Sequence, residues 1–154
     1  MQEQIKAAMK AAMIAKEMDK LQVIRSISAA FTNEMVSEAR IASGKTAQDP
    51  LSDEECLKVI KKLVKQRKDS IEQFVNGGRE DLAETEKYEL SVLETFLPAQ
   101  LTREQLTEAV KAEIAKLGEI DPNKKPQTIG QIIKALSSNA DGKDIKEVAE
   151  ELLK

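Results

Sequence analysis

Two adjacent glycines, Gly77 and Gly78, separate two helical patterns, and the charges on either side of them are the first candidates for chemistry. An antiparallel fold about 77 and 78 pairs positions whose numbers sum to 155, which sets Arg67 opposite position 88 and within reach of Glu86 and Glu89. On a helical wheel Arg67 falls inside the apolar stripe of Leu57, Ile60, Val64, Ile71, Phe74 and Val75. Glu86 and Glu89 fall inside the stripe of Leu82, Leu90, Leu93, Phe96 and Leu97. Arg67 is therefore expected to be buried or half-buried and to pair with Glu86 or Glu89. One role is architectural, a pair that fixes register and whose loss of one partner costs ~3–5 kcal/mol. The other is chemical, with the two carboxylates as general acid and base or as a metal pair. No further ligand type lies on either face to complete a metal site, so the architectural role is the expectation and no metal is assigned.

Other routes to catalysis are thin. The chain has no histidine, which removes the commonest general base, the histidine-containing triads and most zinc sites. Its single cysteine, Cys56, sits in a helical first turn where the dipole would favour a thiolate, but Asp53, Glu54 and Glu55 oppose it. Gly44-Lys45-Thr46 matches only the end of a phosphate loop, without the upstream glycine, and reads as a helix end. Neither catalytic residues nor a cofactor are assigned.

One charged feature points to a ligand. Lys58, Lys61, Lys62, Lys65 and Lys68 fall on one helical face spanning about 120°, a row suited to tracking phosphates. No aromatic residue interleaves the row, so contact would be to shape and phosphate rather than by base stacking. The alternative is a solvated face. Lys134, Lys143 and Lys146 are further candidates near the C-terminus.

The elements that must hold these residues are helices. Charged residues make up 33% of the chain and aromatics only 3%, a composition rich in helix formers and poor in strand formers. The pattern predicts a helix over 1–16, then a second capped by Asp19 and running to Gly44, then a loop over 45–50. Ser52 and Glu55 form a capping box that opens a long helix to Asn76, and a fourth helix runs from Arg79 or Glu80 to Leu97. Pro98 ends that hairpin. Thr102 with Gln105 opens a helix to Leu117, Asp121 to Pro126 reads as a polar loop, Thr128 with Gln131 caps a helix to Leu136, and Asp141-Gly142 precedes the last. The expectation is an all-α protein: N-terminal helices with a long antiparallel hairpin over 1–97, then a small three-helix tail module over 98–154.

The net charge of −3 excludes a molecule that grips nucleic acid by its overall field, so any such contact uses a local patch. A lone cysteine suits a reducing compartment. The first helical segment carries Glu3 and no continuous apolar run, unlike a signal peptide or membrane span. Its Ala, Met and Lys content resembles an organellar presequence, but the first arginine is Arg25, and the expectation is a cytoplasmic protein with no membrane partner.

The segments KQRKDSIEQF over 65–74, GREDLA over 78–83, FLPAQL over 96–101, TIGQIIK over 128–134 and NADGK over 139–143 together resemble the YqeY-like family. The resemblance covers nearly the whole chain. It implies that the tail module is shared with the end of GatB, the tRNA-binding subunit of the glutamyl-tRNA(Gln) and aspartyl-tRNA(Asn) amidotransferases. It further implies an association with carbon–nitrogen ligase activity that uses glutamine as amide donor. The Gly-Gly-Ser-Ser run of the glutaminase is absent, so such activity would be inherited from partners rather than carried out here. The implied function is a non-catalytic accessory protein that binds tRNA, or an amidotransferase or synthetase complex handling it. The alternatives are a protein–protein adaptor with no direct nucleic-acid contact and, more remotely, an enzyme of carbon–nitrogen ligase type. Ile129, Ile132 and Ile133 stand where the family commonly has methionine or valine, exchanges expected to be core packing.

Overall fold

A computed structural model describes all 154 residues. The chain is helical throughout, with no strand: α1 Gln2–Ile14, α2 Met18–Met35, α3 Glu38–Ala42, α4 Asp53–Asn76, α5 Glu80–Glu94, α6 Arg103–Leu117, a 3-10 turn Pro122–Lys124, α7 Lys125–Leu136 and α8 Gly142–Leu152. It divides into two compact units, Met1–Leu97 and Pro98–Lys154.

In the first unit α4 and α5 form an antiparallel hairpin, and α2 packs against both of its helices and against α1. Ile24, Ile27, Ile60 and Leu93 are fully buried where these helices meet, with Cys56 and Val64 beside them. Ile5 and Ala12 of α1 belong to the same core, so the segment with a presequence-like composition is a structural helix of the domain.

The start and end of α4 follow from local chemistry. Ser52 Oγ accepts from the Glu55 N–H at 3.1 Å while Glu55 Oε2 accepts from the Ser52 N–H at 2.8 Å, a reciprocal cap. At the other end Gly78 takes φ +71°, its N–H bonds to the Val75 carbonyl at 3.1 Å, and the Arg79 N–H reaches the Phe74 carbonyl at 2.8 Å. This is a Schellman stop, and it reverses the chain into α5. The turn between α1 and α2 uses the same bonds, Lys16 N–H to Met13 and Glu17 N–H to Ala12, but with Lys16 at φ +58° where a glycine would be unstrained.

The structure departs from the expected elements in four places, one being the end of α5 at Glu94 rather than Leu97. The second helix does not run to Gly44: it ends at Met35, and Ser37 caps the short α3 through the Arg40 N–H. Turning there carries Arg40 into the interior, where a straight helix would not place it. Asp19 is not the cap of α2 but lies in its first turn, a position favoured by the dipole. The helix α7 starts at Lys125 rather than Thr128, because Pro126 fits a helical first turn; the Thr128 hydroxyl donates back to the Lys124 carbonyl at 3.1 Å instead of capping.

The second unit packs α6, α7 and α8 around Leu106, Val110, Ile132, Ile145 and Val148, with Ile129 and Ile133 half-buried against that core. The Thr102–Gln105 capping box opens α6, and Asp141 caps α8 through the Lys143 N–H at 2.9 Å. Asn139 ties the entry strand of chain to this unit, donating to the Ala99 carbonyl and accepting from the Leu101 N–H.

Candidate nucleic-acid interface

The helix α4 runs unbroken for 24 residues, a rod of about 36 Å, and its two long faces differ in kind. Cys56, Val59, Ile60 and Val64 face the core. Lys58, Lys62, Lys65 and Lys68 lie on the opposite face, exposed, and none of the chain's ion pairs uses them; Lys61 lies on the same arc and is half-buried. The row is shorter than the helix. Lys58 to Lys68 rises about 15 Å, and Glu54 at one end and Asp69 and Glu72 at the other close it off, so the basic surface covers less than half the rod.

What aims the row is the hairpin's own charge cluster. Arg67 Nη1 lies 3.1 Å from Glu86 Oε2 and its Nε lies 3.1 Å from Glu89 Oε2, so one guanidinium holds both carboxylates. The side chains of Arg67, Glu86 and Glu89 retain 28%, 16% and 25% of their exposure. A planar fork between two acids on the facing helix fixes the rotation of α4 against α5, and with it the direction of the lysines. Arg67 is thereby neutralised and is not part of the basic row. No three ligating side chains gather anywhere in the chain to hold a metal ion.

A second cluster holds the base of α4 and leaves almost no trace in the sequence. Arg40 is 4% exposed. Its Nε donates to Glu55 Oε1 at 3.2 Å, its Nη1 to the Thr46 carbonyl at 3.0 Å and the Met35 carbonyl at 3.5 Å, and its Nη2 to the carbonyls of Asp49 and Pro50 at 2.9 and 3.1 Å. Five bonds use the full guanidinium fork, and they fold the 43–50 loop back over the helix start. Glu55 also accepts from Lys45 Nζ at 2.8 Å. The Lys45 ammonium, the Ser52 N–H and Arg40 together hold its carboxyl down to about 2. Lys45 of the phosphate-loop-like triplet is therefore committed to Glu55. The only sequence signal was Glu55 as a cap; carbonyl partners are not written in side chains.

Cys56 is fully buried, and burial pushes its thiol upward from the ordinary range, which works against a nucleophilic or redox role. Asp19, Gln22, Glu84, Thr85, Tyr88 and Glu89 line an open groove of about 380 Å³ between α2 and α5, with no basic residue in its lining. In the second unit Lys134 on α7 and Lys143 and Lys146 on α8 are exposed, and Lys146 lies 3.8 Å from Glu150 one turn on.

Fold and site define an all-helical protein of two compact units, the first bearing a short outward basic ridge on a rigid hairpin. The chain belongs to the YqeY-like family: the family model, described as Yqey-like protein, matches residues 2–153. It is similar to the mitochondrial protein named altered inheritance of mitochondria protein 41 of Kluyveromyces lactis, 33% identical over 132 residues, 83% of this chain and 66% of that protein. The protein of the same name in Vanderwaltozyma polyspora is 35% identical over 94 residues, 60% of this chain and 46% of its own length. An uncharacterised protein of Schizosaccharomyces pombe is 41% identical over 63 residues, 41% of this chain and 50% of that protein. The chain thus spans about half to two thirds of the length of these relatives.

These names overturn the expectation of a cytoplasmic protein, since the relatives from Kluyveromyces lactis, Eremothecium gossypii and Vanderwaltozyma polyspora are all designated mitochondrial. That expectation rested on a single unpaired cysteine and on a first helical segment without arginine before Arg25; Cys56 is buried in the core, where it is shielded whatever the surrounding redox poise.

Proposed function

We propose that this chain is a non-catalytic accessory protein that binds tRNA, or a complex handling tRNA, through the lysine row of α4, with Lys134, Lys143 and Lys146 of the tail module as auxiliary contacts. The observation that carries the proposal is the row itself: Lys58, Lys62, Lys65 and Lys68 stand exposed and outside every ion pair, while most other lysines of the first unit that sit beside acids are engaged by them. Cations left without intramolecular partners on a chain of net charge −3 favour an anionic ligand. The kind of anion is taken from what the family resemblance implies, a tail module shared with the tRNA-binding end of GatB. Carbon–nitrogen ligase chemistry, on this reading, belongs to the proteins it accompanies.

The test is fluorescence anisotropy of labelled bulk tRNA with the wild-type chain and with a variant carrying Lys58→Gln, Lys61→Gln, Lys62→Gln, Lys65→Gln and Lys68→Gln. Wild-type binding at low salt that drops at least tenfold in the variant supports the proposal; equal binding by both removes the row from it. The mitochondrial designation of the relatives makes organellar tRNA the pool to compare with cytosolic tRNA.

A second reading, a protein–protein adaptor, is favoured by one feature. The acidic α2–α5 groove includes Tyr88, 44% exposed, a surface suited to a basic protein segment with an apolar contact. An adaptor retains its partner through nuclease treatment and high salt, and a phosphate binder does not.

A further inference from the structure

We infer that the RNA element recognised by the α4 ridge is a double-helical stem, held at its phosphates without regard to sequence, rather than a single-stranded loop or end; this rests on the tRNA-binding reading above. Single strands are bound in grooves that follow a flexible backbone and offer aromatic faces on which bases stack. The ridge has neither feature. It is the outer face of one unbroken helix, with no glycine or proline between Asp53 and Asn76. The chain's four aromatic residues all lie off the ridge: Phe31 is buried, Phe96 is half-buried against the core of the first unit, Phe74 is half-buried on the stripe of α4 opposite the row, and Tyr88 is on α5 in the acidic groove.

The ridge offers charges at fixed spacing. Five lysines are rooted on one arc over about 15 Å of helix rise, on a helix whose rotation is pinned by Arg67 between Glu86 and Glu89. Lysine stems are flexible, but their roots on α4 are fixed, and such a row gains most from a ligand whose phosphates are also fixed, because a flexible strand loses its conformational freedom to match it. An A-form stem presents such phosphates along the rims of its wide, shallow minor groove, where a helix can lie across them, while its deep major groove excludes side chains. The acids that end the row, Glu54 on one side and Asp69 and Glu72 on the other, limit the contact to a short stretch and repel a strand that would continue along α4.

The experiment uses the full chain, tRNA, a perfectly paired RNA hairpin whose stem is closed by a four-nucleotide loop, and an unstructured single strand of the same length and nucleotide count. Affinities are read by anisotropy at one low salt concentration, for the wild type and for the five-lysine-to-glutamine variant, with circular dichroism of both chains. The expected result is that the hairpin binds within about threefold of tRNA, the single strand at least tenfold more weakly, and that the variant, with unchanged helicity, loses the preference. If tRNA binds and the single strand matches the hairpin, the inference of a duplex is overturned while tRNA binding stands. If neither tRNA nor hairpin binds the wild type, both are overturned.

Discussion

Removing Arg67 should destabilise the hairpin more than removing either acid, and the structure gives the size of the effect. Arg67 lies 3.1 Å from a carboxylate oxygen of each of Glu86 and Glu89, so Arg67→Met leaves two acids one turn apart on α5 against an apolar surface with no cation between them. Breaking a fully buried pair costs about 3–5 kcal/mol. These side chains keep 28%, 16% and 25% of their exposure, so water screens part of the loss and the expected cost is about 2–3 kcal/mol. Glu89→Gln leaves the Glu86 contact in place and should cost about 1 kcal/mol; Glu86→Gln, at the less exposed carboxylate, should cost somewhat more. The triple variant Arg67→Met, Glu86→Leu, Glu89→Leu removes all three charges together and should recover most of the loss, because intact pairs of this kind add little net stability over apolar packing. The chain has one tyrosine and no tryptophan, and Tyr88 lies on α5 next to Glu89, so tyrosine fluorescence in a urea titration reports this hairpin. A cost for Arg67→Met below about 0.5 kcal/mol, or a triple variant no more stable than the single one, would refute the assignment of this cluster as the register device.

Other outcomes follow from local geometry. Arg40→Met strips five hydrogen bonds from a residue that is 4% exposed and should cost about 3–5 kcal/mol with loosening of the 43–50 loop, seen as faster amide exchange there; Arg40→Lys, with three donors, should recover only part. Glu55 is held down to about 2, below its unfolded value of roughly 4.3, so its contribution is full above the unfolded value and lost as pH falls from about 5 through 2. Glu55→Gln should flatten the stability profile in that window and leave it parallel to wild type above it. Gly78→Ala meets no atom but forces alanine to φ +71°, and should cost about 1 kcal/mol in thermal unfolding, whereas Lys16→Gly relieves φ +58° and should gain up to about 1 kcal/mol.

Much of the fold is legible where a side chain states its own role. The capping boxes at Ser52–Glu55 and Thr102–Gln105 each use a residue pair visible in the sequence, and Gly77-Gly78 announces the hairpin that brings Arg67 to Glu86 and Glu89. What is illegible is carried by the backbone. The helix break at Val36 has no glycine or proline, and Arg40, whose burial explains it, bonds mainly to carbonyls that every residue owns. Pro126 misleads in the other direction, since it marks a loop and a helical first turn equally well. The wheel also assigns Val75 and Leu82 to the inward stripes, yet next to the Gly77-Gly78 turn they are 41% and 36% exposed: periodicity gives direction, not cover. The lysine row is readable from spacing alone. The freedom of Lys58, Lys62, Lys65 and Lys68 from ion pairs, and the limit of the row to about 15 Å rather than the whole of α4, require the neighbouring acids to be seen in place.

The salt dependence of tRNA binding tests the central claim most directly. Each phosphate contact contributes about 0.7–0.9 to the slope of log K against log salt, so five lysines account for at most about 4.5. The account predicts that wild-type affinity falls with salt and that changing Lys58, Lys61, Lys62, Lys65 and Lys68 to Gln flattens the slope by about 2–4. A wild-type slope unchanged in the variant, or no tRNA binding at low salt, would contradict it and leave the acidic groove between α2 and α5 as the surface to pursue.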